Sequence, residues 1–286
     1  MKNNLNKVID FLNRKNVMLF VGGACCTILI LVTILAPILE LHDPTEMNLS
    51  ASFMAPCANY PFGTDNLGRC IYSRVIEGSR ISLTTASIVV ILSAAIGTVV
   101  GLIFGYSGGI TDAVVMRIVD IFLAFPTIVF ALAVSTVLGT GQKNLIIAIC
   151  CIQWTRYARM ARGEVVLLKN AEYIEAAKAM GNNKFQIIFK YLLPNVASKI
   201  LILMSLDIGS IILYCASLSF LGLGAQPPSP DWGAMISDGK DYLRFSPWMS
   251  LFPGLSIAFS ALSFNMLGDG LRDLIDPRMR ESVNPE

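Results

Sequence analysis

An all-α membrane protein with six transmembrane helices is the fold class this sequence predicts, on three observations. The 286 residues are 54% hydrophobic and only 15% charged, where a soluble domain carries about 25% charged residues. The apolar residues gather in uninterrupted runs of roughly 20, the length that crosses a bilayer as a helix. The charged residues lie between those runs, in a pattern that assigns sides. The charge deficit excludes a secreted disulfide scaffold, a disordered tail protein and an ordinary cytosolic enzyme, and a net charge of +2 gives no footing for nucleic-acid binding.

The first span is Val17 to Leu39, behind a segment of residues 1–16 that holds Lys2, Lys7, Arg14 and Lys15. Its apolar run is far longer than the roughly 7–15 residues of a signal-peptide core, and Ala36-Pro37-Ile38-Leu39 has no small-residue cleavage pattern, so it reads as a retained helix. Residues 40–80 form an extracytoplasmic segment. The second span covers Ile81 to Tyr106 and the third about Ala113 to Leu138. The fourth, Leu145 to about Tyr157, is short and reaches full length with Trp154 and Tyr157 as an interfacial anchor. The fifth is Ile200 to Leu221 and the sixth Trp248 to Leu267, separated by a Gly- and Pro-rich loop at 222–247. Residues 81–271 thus make a five-helix core, and 272–286 a tail.

With the N-terminus in the cytoplasm, the inner side holds fifteen Lys and Arg: four before the first span, eight between the fourth and fifth, and Arg272, Arg278 and Arg280 after the sixth. The outer side holds six (Arg69, Arg74, Arg80, Lys143, Lys240 and Arg244), and Arg117 lies near the inner end of the third span. The positive-inside rule therefore puts both termini in the cytoplasm. The lipid bilayer is the first partner the chain requires.

Several chemistries drop out. No G-x-x-x-x-G-K-[ST] phosphate loop occurs, so the chain does not hydrolyse ATP by that route. Gly105-Tyr106-Ser107-Gly108-Gly109 matches G-x-S-x-G but ends a membrane helix, and the sole histidine, His42, falls on the other face; a nucleophile elbow needs a strand-turn-helix context and a histidine partner. No catalytic residue is assigned and no metal site is fixed. Five of the seven cysteines sit in apolar runs as small hydrophobes, and Cys57 and Cys70 in the polar segment read better as free thiols than as a disulfide.

Gly97, Gly101 and Gly105 lay a smooth strip along the second span, echoed by Ala131, Ser135 and Gly139 in the third, for close packing within one subunit. Pro126 and Pro253-Gly254 predict kinks. Asp207 is an acid inside the fifth span, costly unless it meets a partner or a watery cavity. Tyr214 shares its helical face, and Asn265 is a polar group at membrane depth in the sixth span. These three are the candidates for lining a translocation path, with a hydrogen-bonded structural acid as the equal alternative for Asp207.

Between the fourth and fifth spans, periodic apolar residues are broken at Gly181-Asn182-Asn183, which reads as two short helices joined by a turn. Glu175-Ala176-Ala177, Gly181, and Leu193-Pro194 stand at the spacing E-A-A-x3-G-x9-I-x-L-P, with Tyr191 where that pattern has Ile. This resembles the EAA loop of ABC-importer permeases, spanning about 163–198, with a second amphipathic helix stopped before Pro194. Pro61-Phe62-Gly63-Thr64-Asp65-Asn66-Leu67-Gly68-Arg69, Leu218 to Pro228, Trp232 to Met235 and Gly268 to Arg278 are similar to the second, C-type permease of dipeptide, oligopeptide and nickel systems; Cys70 replaces the Asp usual there.

The resemblance implies a type I ABC importer permease fold, a bacterial plasma-membrane location, and a heterodimer with a second permease subunit. It also implies two cytosolic ATPases that use ATP and Mg and dock on the loop of Glu175, Ala176, Ala177, Gly181, Leu193 and Pro194. An extracytoplasmic solute-binding protein would deliver the substrate. No cofactor is expected on the chain itself. Leu206-Asp207-Ile208-Gly209 with Leu213-Tyr214 looks more like the nickel or metal-chelate members, with Asp207 as a transient contact for a cationic complex, and tilts the expectation toward nickel over di- or oligopeptides. A secondary transporter driven by an ion gradient through Asp207 is the alternative from a different class; it predicts inverted repeats, which the sequence does not show.

Overall fold

The computed structural model describes residues 14–275. The segment before Arg14 and the tail beyond Ile275, with Arg278 and Arg280, lie outside the described residues. Among these, the chain is helical, with one isolated antiparallel bridge between Thr64 and Cys70. The helices are α1 (Arg14–Ile34), α2 (Ala36–Leu39), α3 (Ile71–Ser107), α4 (Gly109–Leu123), α5 (Thr127–Leu138), α6 (Gln142–Leu168), α7 (Glu172–Ala179), α8 (Lys184–Gln186), α9 (Leu193–Phe220), α10 (Trp232–Gly239) and α11 (Trp248–Ile275). A π-helical run, Ile187–Leu192, joins α8 to α9.

Where six spans are expected, four stretches among the described residues are long and apolar enough to cross a membrane: Val17–Ile34, Ile71–Ser107, Lys184–Phe220 and Trp248–Leu274. A fifth is counted if α4 and α5 form one broken span, bent by 90°. The kink expected at Pro126 is thus a full break: the ring removes a backbone donor and restricts the residue before it. The expected fourth span continues as one helix to Leu168, and its charges from Arg156 onward keep it from being apolar over a full crossing. The helix of the second span, α3, starts at Ile71 rather than Ile81, because hydropathy locates the apolar part of a helix and not its polar first turns.

Among the described residues the chain packs as two compact units, one of residues up to Ser87 with Ser135–Ile146 and from Ser205 onward, the other of Ile88–Val134 and Ile147–Met204. In the first unit α1 packs along α11 so closely that a methyl group on Gly22 would lie 2.5 Å from the Leu267 amide nitrogen. The polar segment is pinned by Asp65, whose carboxylate accepts from Arg69 Nε at 2.6 Å and lies 3.7 Å from Arg74. Phe62 stacks on Phe252 with centroids 3.9 Å apart, and Trp232 Nε1 donates to Val75 O at 2.9 Å. Cys57 is exposed and Cys70 buried, both as free thiols.

In the second unit the glycine strip does what its spacing predicts. Gly97 lies against the Trp154 carbonyl and Gly101 against that of Ala158, so the backbones of α3 and α6 nearly touch. Tyr157, Ala161 and Val165 of α6 are fully buried along the same seam.

Candidate functional site

The loop around Gly181 is mounted on the hydrophobic core of the second unit. Ile174 and Ala177, three residues apart on one face of α7, are fully buried, Ile174 in a cluster with Leu102, Ala161, Val165, Ile187 and Leu192. Ala177 presents only a methyl group, which lets α7 lie close to that core. Glu175 and Ala176 face outward. The Glu175 carboxylate accepts from Lys178 Nζ at 2.7 Å, and this bond raises the ammonium above the ordinary lysine range.

The helix then ends as its sequence prescribes. Gly181 N donates to Lys178 O at 3.0 Å and Asn182 N to Ala177 O at 3.2 Å, the two reverse bonds of a Schellman cap. Gly181 takes the left-handed conformation this requires, φ +82°. Asn183 restarts the helix by a capping box, its side chain accepting from Gln186 N at 2.9 Å while Gln186 Oε1 accepts from Asn183 N at 2.9 Å.

The helix does not stop before Pro194, contrary to the reading of that proline as a terminator. Leu193 N bonds to Ile188 O, a residue further back than in an α-helix. That wide turn places Pro194 in the first turn of α9, where its missing N–H costs nothing and its ring avoids the carbonyl it would strike in a helix interior. Leu193 is half-buried and packs against the core cluster, while Pro194 is exposed.

Four residues that the pattern reading passed over complete the site. Tyr173, Met180, Phe185 and Phe189 are 42%, 70%, 70% and 44% exposed, and the Phe185 and Phe189 rings stack at 5.9 Å. The signal of Phe185 and Phe189 is legible as apolar residues out of phase with the buried Ile187, Ile188, Leu192 and Val196. Also missed were the ion pairs that brace α6: Arg162 Nη2 with the buried Asp112 at 2.7 Å, Arg159 with Asp120, and Lys199 with Glu164. Their partners are 35 to 50 residues apart in sequence, beyond any local pattern.

The three path candidates are not brought together. Asp207 is 2% exposed and engaged within the fold, and Tyr214 is half-buried on the same helical face. Asn265 instead sits against Gly209, where an added methyl would come within 2.4 Å of its Oδ1. Two residues along a helix turn the side chain by about 200°, so Asn265 abuts the face opposite Asp207. Among the described residues no group of three or more His, Cys, Asp or Glu is arranged to hold a metal ion.

The family model for the inner membrane component of binding-protein-dependent transport systems matches residues 97–281. The chain belongs to that family. The dipeptide transport system permease protein of Alkalihalophilus pseudofirmus is 43% identical over 267 residues, 93% of this chain and 88% of that one. The probable D,D-dipeptide transport system permease protein of Escherichia coli is 40% identical over 251 residues, 88% and 84% of the two chains. The glutathione transport system permease protein of Pectobacterium atrosepticum is 43% identical over 225 residues, 79% and 75%. The chain is thus an ABC-importer permease of the dipeptide and oligopeptide family. None of these relatives is named for nickel, and the tilt toward nickel drawn from the residues around Asp207 is not supported.

Proposed function

We propose that this chain is one of two different permease subunits of an ATP-driven importer for dipeptides or other short peptides. The observation that carries the reading is an exposed Glu175-Ala176 edge with an aromatic patch, held on a fully buried base. A docking partner can push such a surface without deforming it. Both termini lie in the cytoplasm, where two ATPases bind the loop around Gly181, Leu193 and Pro194 and use ATP and Mg. A solute-binding protein delivers the peptide from outside. The permease itself makes and breaks no covalent bond and works by alternating access.

Relatives named for dipeptides and glutathione support the substrate class. Asp207 and Tyr214 share one face of α9 and are the groups that meet the passing peptide, the acid suiting its amino terminus. Replacing both Phe185 and Phe189 with Ala is expected to lower binding-protein-stimulated ATP hydrolysis and uptake at least about tenfold, with wild-type amounts in the membrane; full coupling would end the docking reading. Asp207→Asn is expected to raise the peptide concentration for half-maximal uptake, and a wild-type uptake curve would return that residue to a structural role. Calorimetry of the cognate binding protein with dipeptides, glutathione and Ni²⁺ decides the substrate.

A further inference from the structure

A groove of about 750 Å³ opens beside the charged end of α6, lined among others by Arg156, Arg159, Arg162, Leu123, Leu167 and Leu203. The arginines follow each other at three-residue spacing, which keeps them on one side of the helix. They begin where the apolar run of α6 ends, the level at which a membrane protein meets lipid headgroups. Leu167 is 73% exposed at the rim, so the groove offers apolar surface and guanidinium groups together.

The charges around it are arranged for an anion. Asp112 and Asp120 are not among the lining residues; they hold Arg162 and Arg159 by ion pairs, and each planar guanidinium carries five N–H donors, more than one carboxylate consumes. The one acid in the lining, Glu164, is engaged by Lys199. A soluble anion would leave the leucines wet, whereas a phospholipid covers them with its acyl chains while its phosphate takes the fork of Arg N–H groups. We propose that this groove is a binding site for an anionic phospholipid, with the headgroup phosphate on Arg156 and Arg159 and the acyl chains along Leu123, Leu167 and Leu203.

The test uses the assembled importer, equilibrated with phosphatidylglycerol and phosphatidylcholine and read by native mass spectrometry. Wild type is expected to retain phosphatidylglycerol in preference. The Arg156→Gln, Arg159→Gln double variant is expected to retain it about thirtyfold less, from roughly a fivefold contribution per basic residue at an anionic lipid surface. Arg162 is left in place because its loss would strand the buried Asp112. The Arg156→Lys, Arg159→Lys variant should keep most of the binding, which separates lost charge from lost fold. Equal retention by wild type and the Gln variant, or displacement of the lipid by inorganic phosphate alone, would overturn the proposal. A benzophenone-bearing residue at position 167 is expected to cross-link lipid, and a cross-link to another protein subunit would assign the groove to a protein partner instead.

Discussion

The seam between α3 and α6 and the turn between α7 and α8 both depend on glycine, for opposite reasons. At Gly97 and Gly101 a Cβ would stand 2.2 and 2.5 Å from a carbonyl oxygen of the facing helix. At Gly181 nothing lies within 4 Å, and only the backbone angle of +82° excludes other residues. The first region needs glycine because two backbones occupy the space, the second because the chain reverses in the open. Crowding propagates damage through the core, whereas a conformational demand stays local.

The largest effect that follows is at the seam. Gly101→Leu inserts four carbons where one does not fit and is expected to cost well beyond the roughly 3 kcal/mol usual for overpacking; fluorescence-detected gel filtration should show loss of the folded permease. A monodisperse, wild-type peak would mean that α3 and α6 separate freely. Next comes Gly181→Pro, whose ring fixes φ near about −65° and removes the donor to Lys178. Uptake and ATPase coupling are expected to vanish while membrane insertion persists, and unchanged uptake would detach the turn from function. The smallest is Gly181→Ala, for which the left-handed conformation costs about 1–2 kcal/mol. It should leave the melting temperature of the permease within a few degrees of wild type and lower coupling only partly; a global collapse would erase the contrast between the two regions.

What the sequence made legible follows the same division. The four-residue glycine spacing, the Gly-Asn-Asn turn and the break at Pro126 are local signals with local causes, and each lies where the residues put it. The 90° angle at Pro126 is not legible, because packing sets it. Nor is the helix that runs through Pro194: read alone a proline stops a helix, and the wide turn that admits it depends on where Ile187, Ile188 and Leu192 find the core. The candidate residues Glu175, Gly181 and their neighbours are legible from spacing, whereas the Arg162–Asp112 pairing and the position of Asn265 against Gly209 are tertiary facts. Asp207 stands out in the sequence as an acid inside an apolar run, but one buried acid carries no information about the identity of a solute.

The helical run Lys184–Phe220 is longer than a membrane is thick. Its 37 residues, at about 1.5 Å each, correspond to about 55 Å of helix, against a hydrocarbon core about 30 Å thick. It is therefore longer than one crossing needs, and its first turns carry the Phe185 and Phe189 rings. A crossing needs about 20 residues, so the run carries a surplus about as long as a further globular helix.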